Sequence, residues 1–151
     1  MSGTVLHEIL ARGEGFGHRQ HLELTWRCLD DHTPDEALAI VADAIRKVAA
    51  AHGAPDKYHA TLTSAWVRCV AVHRERGPAD NFDDFIKRNP ALLDSKLLEH
   101  FYSHSLLFSD AARAAVAKPD LHPFPHSPPD AERVGSNRQI AAQRRSLSKK
   151  R

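Results

Sequence analysis

The chain has 151 residues, 42% of them hydrophobic and 26% charged, the makeup of one soluble domain with enough apolar material for a core. Its net charge of +2 conceals an asymmetry: residues 1–125 carry 14 Lys/Arg against 17 Asp/Glu, and residues 126–151 carry 7 against 2. This excludes a compact basic surface for nucleic acid from the body; no apolar run reaches the roughly 20 residues of a membrane span; and Cys28 and Cys69 lack the CxxC spacing of a zinc knuckle.

Three regions are expected: an N-terminal arm over 1–15, a helical domain over 16–125 and a basic tail over 126–151. The arm carries Val5, Leu6, Ile9 and Leu10, enough for one or two helical turns before Gly13-Glu14-Gly15 breaks the pattern, as a packing arm or a frayed end. Its opening, MSGTVLHEILARGEG, has no basic n-region or small-residue cleavage site, so a cytoplasmic protein is expected. The first main helix starts near Gly17 and buries a stripe of Leu22, Trp26 and Leu29. The second is bounded by strong local signals. Thr33 is an N-cap, Pro34 fits the first helical position, Glu36 completes a capping box, and Gly53 suits the left-handed position that ends a helix.

Helix three is expected from Lys57 or Tyr58 to about Arg76, with Leu62, Trp66, Cys69, Val70 and His73 at helical spacing. Asp80 or Asn81 caps a short helix carrying Phe82, Phe85 and Ile86. A longer helix is expected from Ala91 to about Tyr102, and Ser109 caps a last short one. After Pro119 the segment PDLHPFPHSPPD holds five prolines, and residues 126–151 are polar and basic, so extended and then disordered chain is expected. Nothing alternates with period two. The expected class is all-α, an up-and-down bundle of four main helices with short helices attached.

The 11 histidines require an account. On a helix, residues three apart differ by roughly 300° and about 4.5 Å along the axis, so His18 and His21 share a face and can share a ligand. In an up-and-down bundle the starts of helices one and three and the end of the fourth fall at one pole. That gathers His18 and His21, then His59, then His100, Tyr102 and His104. The partial positive charge of a helix start keeps imidazole neutral, the form that binds metal. His18, His21 and His59 are thus candidate ligands of a divalent transition metal (Zn, Fe, Cu or Ni), with His100 and Tyr102 as candidate catalytic groups at an open position facing a small-molecule substrate. The plainer alternative is a pair of exposed or hydrogen-bonded imidazoles near a helix start.

His52 and His73 suit helix C-termini, where the dipole favours imidazole, and His7, His32, His122 and His126 read as surface or loop residues. Trp26 and Trp66 read as core, either able to wall a pocket. No GxSxG, P-loop, GxGxxG or HExxH pattern occurs. The rival to a metalloenzyme is a non-enzymatic module that presents the basic tail, with Arg144-Arg145 and Lys149-Lys150-Arg151, to an acidic partner or nucleic acid.

The segments FGHRQHLELTW, AAAHGAPDKYHATLTSAW, YSHSLLFSDAAR and PDLHPFP together resemble a group of small bacterial helical proteins, without an assigned reaction, that share an F-x-H-x-x-H-L…W segment followed by Y-H-x-T. The likeness covers most of residues 16–125. It implies that His18, His21 and His59 form one functional constellation. Where that group's pattern has an acidic residue after the second segment's histidine, this chain has Ala60, so the resemblance supplies no carboxylate ligand.

Overall fold

A computed structural model describes residues 2–124. Among them are seven α-helices and no strand: α1 (Ser2–Ala11), α2 (His18–Cys28), α3 (Pro34–Ala51), α4 (Ala60–Glu75), α5 (Phe82–Arg88), α6 (His104–Leu107) and α7 (Asp110–Ala114), with 3-10 turns at Pro55–Lys57, Pro90–Leu93 and Leu97–His100. None of the described helices is long and apolar enough to cross a membrane. The expected basic tail over 126–151, His126 included, lies outside the described residues.

The helix boundaries follow local chemistry. At α3, Thr33 Oγ1 accepts the Glu36 backbone N–H at 3.2 Å while Glu36 Oε1 accepts that of Thr33 at 3.0 Å, so two otherwise orphaned donors are satisfied. Gly53, at φ +70°, ends α3 in the conformation only glycine adopts without strain. Asn81, Ser103 and Ser109 cap α5, α6 and α7 through their side-chain oxygens.

Helix α4 is the centre of the fold. Eleven of its 16 residues are buried, so it packs on nearly every side. One apolar cluster joins it to α2, α5 and the 3-10 turns through Leu22, Trp66, Val70, Phe85, Leu92 and Leu98. A second joins α1, α2 and α3 through Ile9, Leu24, Val41 and Ala44, with Val67 contributed by α4. Helices α2 and α4 run parallel. The His18 ring, at the start of α2, meets Trp66 in the middle of α4 at 4.4 Å, and near the helix ends Arg74 donates to the Trp26 carbonyl at 2.7 Å and to Asp30 at 3.0 Å. Helix α3 packs against both and runs back, so its last turns lie beside the start of α4, where the Arg46 guanidinium sits over the Tyr58 ring at 4.6 Å.

Of the two alternatives for the N-terminal segment, it is the packing arm, a ten-residue helix docked on the body: Ile9 is fully buried, and Arg12 reaches both oxygens of Glu23, at 2.7 and 2.5 Å. One element differs from expectation. The long helix expected over Ala91 to Tyr102 is instead two 3-10 turns, at Pro90–Leu93 and Leu97–His100. Asp94 is the reason. Its side chain accepts the Lys96 backbone N–H at 2.9 Å, a local bond that competes with the helical ladder, and its own backbone is extended. Three long helices, α2 to α4, therefore form the body, and short turns stand where a fourth was expected.

Candidate functional site

The up-down-up course of α2, α3 and α4 places the start of α2, the end of α3 and the start of α4 at one pole, around a cleft of about 470 Å³. His18, His21 and His59 all line it. The three rings are in different chemical states.

His18, the first residue of α2, places its ring edge-on to Trp66 and donates from Nε2 to the Leu92 carbonyl at 2.7 Å. A carbonyl can only accept, so Nε2 carries a proton. His21 lies one turn further along. Its Nε2 has no solvent exposure and no hydrogen-bond partner, the only buried side-chain nitrogen or oxygen in that condition among the described residues. Burial first, and the neighbouring His18 second, push its pKa down to about 3. At neutral pH this imidazole carries no charge.

His59 is fully engaged. It is the N-cap of α4, an unusual position for imidazole: Nδ1 accepts the Leu62 backbone N–H at 3.1 Å, which fixes the proton on Nε2, and Nε2 donates to the Leu107 carbonyl at 2.7 Å. Burial lowers its pKa, opposed by the Leu107 carbonyl and assisted by the charge of Arg113. With both nitrogens bonded, His59 holds the start of α4 against α6 and has no lone pair for a metal. Thr61 extends this clasp, donating to the carbonyls of Ala112 at 2.7 Å and Ala115 at 3.1 Å and accepting the Ala117 N–H at 2.9 Å.

The other expected groups lie elsewhere. Tyr102 is 1% exposed in the core, where its hydroxyl donates to the Ala117 carbonyl at 2.8 Å and burial raises its pKa. His100 is exposed and stacks on His122 at 5.0 Å. His104 rests against Phe108 at 4.6 Å. None of the three lines the cleft. Their expected placement relied on an α-helix up to Tyr102, and a 3-10 turn advances each residue by about 120° rather than 100°, so the side chains at its end point elsewhere. Glu99 lines the cleft from this turn instead.

The donor set for a metal thus contracts to His18 and His21. Among the described residues no three His, Cys, Asp or Glu side chains converge to hold an ion. Sequence reasoning missed three contributors to the cleft mouth, Lys57, Lys96 and Glu99, and the wall residue Phe108. No periodicity marks them, although Lys57 immediately precedes the Y-H-x-T segment. Comparison of the chain with protein-family models, with curated proteins and with solved structures gives no match.

Proposed function

We propose that this cleft is the reaction site of a cytoplasmic small-molecule enzyme, in which neutral His21 meets a polar atom of the substrate and His18 stands beside it. The observation that carries the reading is the His21 Nε2, shielded from water and without a partner, in a residue that lines a cleft large enough for a metabolite. A buried polar atom in that condition costs about 1–3 kcal/mol, which a bound substrate atom relieves. A ring that stays uncharged across the physiological range polarises or accepts from a substrate oxygen as a neutral hydrogen-bond partner, and does not act as a cationic acid. The free, buried thiols of Cys28 and Cys69 support a reducing compartment.

A second reading rests on the same atom. Two neighbouring imidazoles, one held uncharged, suit a divalent transition metal, which when bound polarises a substrate oxygen or activates water. His18 and His21 would hold it, and the remaining positions would fall to water and substrate.

One set of measurements on the full chain separates these outcomes. Incubation with a small-molecule extract should deplete a compound when wild-type protein is added but not with His21→Leu. In protein carrying 15N-labelled histidine, the His21 ring signals should respond to that compound. Zinc alone should shift both His18 and His21 if the metal reading holds. A protein that alters no compound, and whose His18 and His21 signals answer neither extract nor zinc, refutes both.

A further inference from the structure

Taking the cleft as a substrate site, we infer that its ligand is a small amphipathic carboxylate: an acid group at the mouth, an aromatic or branched apolar body, and a hydrogen-bonding group at the far end. Exposure orders the cleft. Lys57, Lys96 and Glu99 are exposed and stand at the mouth, whereas His21 is partly buried and its Nε2 is shielded from water. Trp66, Leu62, Ile45 and Leu107 give the lining an apolar part, beside the polar His59 and Thr63. Phe108 also lines the cleft, with 47% of its surface exposed and its ring edge-on to His59.

The mouth selects the sign of charge. Lys57, Lys96 and Glu99 make no ion pair among the described residues, so two ammonium groups and one carboxylate surround the opening, one positive charge in excess. An anionic head is favoured, and a monoanion more than a dianion, because Glu99 repels the second charge. A phosphate is further disfavoured: no glycine lines the cleft, so there is no glycine-rich loop to bring backbone N–H groups around its oxygens. Glu99 in turn suits an amine or hydroxyl beside the carboxylate. At about 470 Å³ the space fits one small ring system with its substituents.

The test compares three probes on the full chain by calorimetry and by histidine and indole NMR signals: 4-hydroxyphenylacetate, its alcohol analogue 4-hydroxyphenethyl alcohol, and phenylacetate. At low ionic strength the hydroxy acid should bind roughly fivefold more tightly than the alcohol, an advantage that shrinks with salt. A Lys57→Met/Lys96→Met double variant should erase that advantage and leave the alcohol unchanged; both positions are exposed, so folding is not at issue. Phenylacetate should bind more weakly than the hydroxy acid to the wild type, and equally to His21→Leu. Inorganic phosphate should not compete. Equal binding of acid and alcohol in the cleft, or an acid advantage that survives the double variant, overturns the inference and leaves the cleft as a substrate site. Competition by phosphate likewise overturns the carboxylate assignment. If no probe reaches the cleft while zinc shifts His18 and His21, the inference falls and the metal reading stands.

Discussion

His21→Leu should make the protein more stable and inert, and the gain should grow as pH falls. At neutral pH the substitution removes a buried nitrogen that has no partner, whose desolvation costs about 1–3 kcal/mol, and installs an apolar side chain in a cleft that Trp66 and Leu62 also line. A net gain of about 1 kcal/mol is expected after some loss from imperfect packing. The pH term has a definite sign. His21 titrates near 3 in the folded protein and near 6.5 when unfolded, so between those values the unfolded chain binds more protons, and wild-type stability falls as pH drops through that window. The leucine variant lacks this term, so its advantage should widen by up to about 1.4 kcal/mol for each pH unit below 6. His59 and His73, whose pKa values burial also lowers, are common to both proteins and cancel in the difference. Urea unfolding of chelator-treated protein, followed by the fluorescence of Trp26 and Trp66 at pH 7, 6 and 5, supplies the numbers. Parallel stability curves, or a variant weaker than wild type at every pH, would mean that the nitrogen is hydrated or bonded, and the argument for a substrate at that atom would be lost.

Three further outcomes follow from the same contacts. His59→Ala loses the cap of α4 and leaves the Leu107 carbonyl unpaired, so it should cost roughly 2–3 kcal/mol. In denaturant below its transition it should leave any zinc response of His18 and His21 in place; loss of that response would restore His59 as a ligand. Thr61→Val keeps the shape but strands the Ala117 N–H and the carbonyls of Ala112 and Ala115, for a loss of about 1–3 kcal/mol and faster hydrogen exchange at Ala117; unchanged exchange there would count against the clasp. Tyr102→Phe should lose about 1 kcal/mol of stability and none of the cleft's binding or turnover. A turnover defect without a binding or stability change would return the hydroxyl to the chemistry.

Whatever depends on neighbours within one turn could be read in the sequence alone. Thr33, Pro34 and Glu36 started α3, Asn81 and Ser109 capped α5 and α7, and Gly53 ended α3 at positive φ, because each acts on backbone groups three or four residues away. The i, i+3 spacing likewise put His18 and His21 on one helix face, and both line the cleft. Tertiary structure decided what each imidazole is free to do. His59 is occupied by a carbonyl 48 residues away, and one nitrogen of His18 by a carbonyl 74 residues away. No spacing rule reports a main-chain oxygen, since every residue has one. His21 was left without a partner by the same packing that buried it, and Tyr102 and His100 went to core and surface because Asp94 bonded Lys96 locally and broke the helix that would have carried them to the pole. Local propensity is a property of neighbours in the chain; the hydrogen-bonding state of a side chain belongs to whatever the fold brings against it.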